Sequence, residues 1–223
     1  MTDSISDRYD AVAAEYDATV GEFANLAGVE LLALLGTGPG RCLDLGCGTG
    51  INLERLTSAG WTVIGVDVSA GQLRVATALA VPGVELVLAD AAHLPFDDRS
   101  FDAVACSLLH TDLEDRAAVW SEAARVIRPG GKLAYVGTHP CFVAPFARNV
   151  AGRPPELHPG YRAIGWTTEG PGIGDGIRRR VGVRHVPLAD FLNEFLEAGF
   201  RIARVSESGG EDFPHRIGIL ALR

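Results

Sequence analysis

CLDLGCGTGINL, residues 42–53, places glycines at the alternate positions 46, 48 and 50 directly behind an apolar run that holds a single aspartate, Asp44. A strand that runs into a bare glycine turn and then a helix gathers backbone N–H groups and a positive helix end at one point, a setting for an anionic ligand group. A dinucleotide fingerprint would need a further glycine at position 51, where the chain has Ile51, so the pyrophosphate reading weakens. Asp67, in VIGVDVS, stands 67 − 46 = 21 positions beyond Gly46, the distance at which an acid reaches ribose hydroxyls. Asp90 ends the next apolar run, in VLADAAHLPF. Parallel strands lie about 4.8 Å apart, so acids at three neighbouring strand ends line a groove that fits one nucleoside with a short tail, not two.

The rest of the chain sets the frame. Its 223 residues, 47% hydrophobic and 22% charged, suit one globular domain. A net charge of −8 and a pI of about 5.2 oppose a nucleic-acid or anionic-membrane partner. No run reaches about 18 consecutive apolar residues and the start, MTDSISDRYD, has no signal pattern, so the expected place is the cytoplasm, with no membrane contact. Cys42, Cys47, Cys106 and Cys141 show no metal-site spacing and read as reduced thiols, with no metal expected. Strand patterns at 41–45, 62–66, 84–88, 101–106, 132–137, 200–206 and 216–222 alternate with helical ones, which argues for a largely parallel sheet covered by helices. Two helices, 6–18 and 21–35, precede the first strand. Residues 139–185, rich in Gly, Pro, aromatics and arginine, read as a substrate lid inserted after the fifth strand. There Phe142, Phe146, Tyr161 and Trp166 sit beside Arg148, Arg162 and Arg184, a mixture suited to an aromatic or carboxylated small molecule, while the run Arg178, Arg179, Arg180 reads as a solvated face.

LDLGCGTG, the Asp67 turn, ADAAHLPFDDRSFDAV and ARVIRPGGKLAYVG together resemble the motif series of class I S-adenosylmethionine-dependent methyltransferases, in order from about Tyr9 to Gly137 and more loosely to the C-terminus. The resemblance implies one Rossmann-like α/β domain over residues 1–223. Its seven-stranded, mostly parallel sheet would have the order 3-2-1-4-5-7-6, with FPHRIGILALR as the antiparallel last strand. It implies S-adenosylmethionine as cofactor, leaving S-adenosylhomocysteine as product. Asp44 and the loop from Gly46 to Gly50, with Cys47 and Gly48 in it, would hold the methionine end. Asp67, with Val68 beside it, would take the ribose hydroxyls, and Asp90 with the backbone of Ala91 the adenine edge. Ser107 and Leu108 would meet the methionine portion, and Tyr16, in YDAVAAEYD, would close over the cofactor, with Tyr9 beside it. Asn52 and Gln72 are further candidates. Helix capping by Asp67 or Asp90, and plain packing by the two tyrosines, are the competing readings.

Methyl transfer needs alignment above all, and a hydroxyl acceptor also needs a base. His110, where CSLLH runs off the fourth strand, is the expected base. His139, in GTHPCF past the fifth strand, is its alternate, and His185 lies next to the lid. Cys106-Ser107-Leu108-Leu109 lacks the Asn/Asp-Pro-Pro-aromatic turn of enzymes that methylate DNA bases or protein amides. The expected activity is therefore methylation of a small molecule at a hydroxyl, amine or carbon, by a monomer or homodimer. The alternatives are a protein that uses the cofactor without transferring its methyl, and a nicotinamide oxidoreductase.

Overall fold

The computed structural model describes residues 4–150 and 153–223; residues 1–3 and 151–152, the latter inside the expected lid, lie outside the described residues. The sheet strands are β1 (Gly40–Leu45), β2 (Trp61–Asp67), β3 (Glu85–Leu88), β4 (Phe101–Ser107), β5 (Ile127–Thr138), β6 (Arg201–Ser208) and β7 (Arg216–Leu222). The helices are α1 (Ile5–Asp10), α2 (Tyr16–Leu35), α3 (Leu53–Ser58), α4 (Ala70–Ala78), α5 (Arg116–Val126), α6 (Arg178–Val181) and α7 (Leu188–Glu197). The strands lie in the order 3-2-1-4-5-7-6, and β7 runs antiparallel to both β5 and β6. The parallel neighbours β4, β1 and β2 are in register, so that Asp44 stands opposite Gly65 on one side and Ala105 on the other. Their carboxyl ends open at one level.

Strands covered on both faces read as continuous apolar runs, which is why Cys42, Leu43, Asp44 and Leu45 are all buried. On one face α2 packs Ala24, Ala27, Leu31 and Leu35 inward. Residues Ala13–Leu35 are long and apolar enough to cross a membrane by length and composition alone, yet the inner side of α2 belongs to this core. The opposite face is aromatic. Phe191 and Phe195, one helical turn apart on α7, pack on Trp120 of α5 and Tyr135 of β5. Glu194 accepts from both Trp120 Nε1 and Arg116 Nε, which leaves no donor orphaned at that contact.

One expectation is corrected. The break between the first helices falls at residues 11–15, where a short 3₁₀ turn (Ala13–Glu15) buries Val12 and Ala13, and not at 19–20. Distant partners fix it: Asp10 accepts from Ser69 Oγ (2.6 Å) and Gly71 N (2.7 Å) at the start of α4, so α1 must end there. The segment after β5 carries structure of its own. Ala147–Arg148 pairs with Glu156–Leu157, and Gly165–Thr167 with Val183–His185, both antiparallel, and α6 leads into the second pair.

Candidate functional site

A cavity of about 350 Å³, within the usual range of ligand sites, opens at the carboxyl ends of β1, β2 and β4. Its floor is the glycine loop. Gly46 N and Cys47 N both donate to Val66 O of β2, and Gly48 N donates to Asp67 Oδ2 (2.9 Å). The other carboxylate oxygen of Asp67 accepts from Ser69 N (2.9 Å), so one side chain ties the loop after β1 to the turn after β2. Burial raises the Asp67 carboxyl above its ordinary range, against the backbone N–H groups of Ser69, Gly48 and Val68.

Eleven of the residues expected at the cofactor line this cavity: Tyr9, Tyr16, Gly46, Gly48, Asp67, Val68, Gln72, Asp90, Ala91, Ser107 and Leu108. Three of the expected cofactor residues do not. Asp44 lies beneath the loop, 1% exposed. The Cys47 side chain turns into the core beside Gly65, where an added Cβ would come 2.9 Å from its Sγ, so Cys47 offers the site only backbone. Asn52 donates to Ser107 Oγ (3.0 Å) and accepts from Arg55, and so acts on the position of Ser107. Leu108 holds φ +57°, a left-handed conformation that a leucine adopts at a cost of order 1–3 kcal/mol, and its N–H donates to Val136 O. Backbone strain is thus stored at the wall of the cavity.

Among the described residues three buried side chains have polar atoms without a hydrogen-bond partner: both oxygens of Asp44, the amide of Gln72 and, at the end of β5, the hydroxyl of Thr138. Buried polar atoms are rarely left so. Burial, and then the charge of Asp67, push the Asp44 carboxyl up to about 7. Above the loop the N-terminal segment forms a cover. Ser6 Oγ donates to Val68 O and Thr49 Oγ1 to Asp17, while Tyr9 and Tyr16 meet with ring centroids 5.8 Å apart. Burial pushes the Tyr16 hydroxyl up to about 12, so it is neutral at ordinary pH.

The histidines expected as bases do not reach the cavity. His110 is 2% exposed, its Nδ1 against the Tyr135 hydroxyl and its ring 4.7 Å from that of Phe191. Burial pushes it down to about 3, which makes it a neutral core histidine. His139 is also buried, held by Glu207 at Nε2 (2.7 Å) and by Cys141 N–H at Nδ1. His185 bonds Tyr161 O. Among the described residues the histidine on the cavity wall is His93, exposed beside Asp90. The aromatics of 139–185 stay outside the cavity: Phe142 packs on His139 and Phe213, and Phe146 and Tyr161 on His185. Arg178 is not part of a solvated face; it pairs with Asp112 Oδ1 at 2.5 Å. Asp112, Glu114 and Asp115, all on the cavity wall, went unread in the sequence, although acids just past the fourth strand carry the same signal as Asp67 and Asp90. No cluster of three His, Cys, Asp or Glu side chains among the described residues is arranged for a metal ion.

Residues 43–135 match a family described as a methyltransferase domain. A demethylmenaquinone methyltransferase of Mycobacterium sp. (strain KMS) is 39% identical over 134 residues, 58% of this chain and 57% of that protein. The chain thus spans little more than half the length of the curated relatives it matches. An S-adenosylmethionine-dependent methyltransferase from Mesorhizobium loti has the same fold, with a TM-score of 0.74 and 25% identity over 87% of this chain and 96% of that one. A methyltransferase domain model thus covers residues 43–135, less than half of the chain, on the fold of that S-adenosylmethionine-dependent methyltransferase. The [4+2]-cyclase SpnF shares the fold at 21% identity and a TM-score of 0.67, over 91% of this chain and 73% of that one.

The residues present fit S-adenosylmethionine. The chain holds a buried carboxylate and a buried amide that lack partners, at a glycine turn of a cavity of nucleoside size. A Cβ at Gly48 would meet, outside its own loop, the Gln72 amide oxygen first, at 3.6 Å. The site therefore offers unmet polar groups and open space together, as a bound zwitterion with a nucleoside requires.

Proposed function

We propose that the protein is an S-adenosylmethionine-dependent methyltransferase acting on a small molecule. The observation that carries this is the partnerless Asp44 and Gln72 at the glycine turn of the cavity. When bound, S-adenosylmethionine supplies a methyl group on a cationic sulfur, open to in-line attack by a nucleophile. Asp44 and the Gly46–Gly50 backbone hold the methionine end, Asp67 the ribose and Asp90 with Ala91 the adenine. Tyr16, neutral, covers the bound molecule and excludes water. Ser107, held by Asn52, and the strained Leu108 position the methionine portion. With His110 and His139 locked in the core, the cavity wall provides alignment rather than a histidine base of the expected kind, and alignment is worth several kcal/mol on its own. This favours an acceptor whose nucleophile has a free lone pair or is readily ionised: an amine, a phenolate or a stabilised carbanion. The relatives named for demethylmenaquinone support a small-molecule acceptor, and the free cysteines support work in the reducing cytoplasm.

The test is mass spectrometry of a metabolite extract incubated with the enzyme and methyl-labelled S-adenosylmethionine. Label in a small molecule, with release of S-adenosylhomocysteine, is the expected result. Cofactor binding without label in any acceptor would turn the reading toward a use of the cofactor without transfer, since one fold hosts many chemistries, a protein named as a [4+2]-cyclase among them. Asp67→Ala should weaken S-adenosylhomocysteine at least tenfold in calorimetry, because charge-assisted hydrogen bonds contribute roughly 1.5–3 kcal/mol each and this carboxylate also anchors Gly48. An unchanged dissociation constant would place the ribose elsewhere.

A further inference from the structure

The cavity has two walls that are far apart in sequence: the N-terminal cover, with Tyr9 and Tyr16, and the loop after β4, with Asp112 and Glu114. The insertion after β5 grips both, although the cavity lining includes none of its residues. Toward the loop, Arg178 pairs with Asp112, Arg184 N donates to Thr111 O (2.7 Å), and the Arg184 guanidinium meets Glu114 (3.2 Å). Toward the cover, Arg178 donates to the Tyr9 hydroxyl (3.3 Å), and Arg180 pairs with Glu15 and donates to Ala11 O. The contact has a small core of its own, with Val12 of the cover buried against Ile177 and Val181 of the insertion. Trp166 closes its outer side. Arg8 lies 4.2 Å over the indole, and Gly182, at φ +81°, leaves room for a ring that any side chain there would strike.

We infer that Arg178 is a positioning residue of the cofactor pocket: from the insertion it holds Tyr9 on one wall and Asp112 on the other, so the cover closes over the cofactor only with the insertion seated. Arg178 is the side chain that reaches both walls at once; Arg180 serves the cover and Arg184 the loop. Arg179, two-thirds exposed and paired among the described residues with Asp175 four positions back, is the natural control. The insertion thereby acts as a staple across the mouth of the site, and its role is mechanical: it sets where Tyr9 and Asp112 stand without touching the bound molecule.

This inference rests on the proposed use of S-adenosylmethionine, and the experiment separates the two. Calorimetry with S-adenosylhomocysteine on the full chain comes first, followed by amide hydrogen exchange with and without that ligand. In the unaltered protein, binding should slow exchange in residues 5–16. Arg178→Ala should weaken the ligand about tenfold and abolish that ligand-dependent protection, while amides of β1, β4 and β5 exchange as before. A purely structural residue would instead change the sheet, or change the cover equally with and without ligand. Arg178→Gln, which keeps length and polarity but not charge, gives the same reading if the alanine variant folds poorly, and Arg179→Ala should match the unaltered protein. No binding by the unaltered protein removes the cofactor reading and this one with it. Binding by the unaltered protein, with Arg178→Ala and Arg178→Gln both within twofold of it and both retaining the protection, overturns the positioning role alone.

Discussion

Gly48→Val should abolish S-adenosylhomocysteine binding while the domain stays folded. Gly48 has φ +54°, a conformation in which a β-branched residue is a genuine outlier, at a cost of order 1–3 kcal/mol, less than the 5–15 kcal/mol of a typical domain. The added side chain would project where the Gln72 amide waits without a partner, and the strain would pull the loop N–H from Asp67. The two effects together should cost at least two powers of ten in affinity, on the order of 3 kcal/mol. Calorimetry measures the first quantity and urea unfolding the second. Near-normal affinity in a folded variant would move the ligand away from this loop.

Asp44→Asn should stabilise the ligand-free protein and weaken the liganded one. The carboxyl is buried, without a hydrogen-bond partner, and pushed up to about 7 by burial and by the charge of Asp67. In the unfolded chain an aspartate ionises near 3.9. Between about pH 4 and pH 7 the folded protein therefore keeps a proton that the unfolded chain releases, and stability falls as pH rises through that window. Above pH 7 the full cost of the buried charge is present, about 4 kcal/mol from a shift of this size. Asp44→Asn removes it, so its urea midpoint at pH 8 should exceed that of the unaltered protein, and the two should converge near pH 4. A difference between them that does not vary with pH would refute the assignment. The same substitution should lower affinity for S-adenosylhomocysteine, because an amide offers the ligand no negative charge. Stability given up at such a group in exchange for binding is a common trade.

The half of the site on β1, β2 and β3 was legible because its signals are local. Strands buried on both faces read as apolar runs, and the glycines and acids sit at their ends, so Gly48, Asp67 and Asp90 could be placed by counting; the strand order came from the motif resemblance. The other half depends on contacts between distant residues. Position past β4 locates the backbone of His110 but not its ring, whose partners Tyr135 and Phe191 lie 25 and 81 residues onward (135 − 110 and 191 − 110). The left-handed turn at Leu108, which no pattern announces, intervenes. Arg178 reads as one of three surface arginines until Asp112, 66 residues earlier, is brought beside it. The helix break at 11–15 is set in the same way, by Ser69 and Gly71 acting on Asp10.

That contact of Asp10 with the start of α4 orders events in time. α1 buries none of its own residues, and its anchors lie about 60 positions away, so closing that loop is entropically costly until β1, β2 and α4 already stand. The cover is therefore a late arrival in folding, docking onto a finished sheet. During synthesis this segment, made before the sheet it docks on, is among the last to find its place. A nascent chain would acquire its core well before it acquires a closed pocket, and competence to hold a ligand would lag behind resistance to proteolysis.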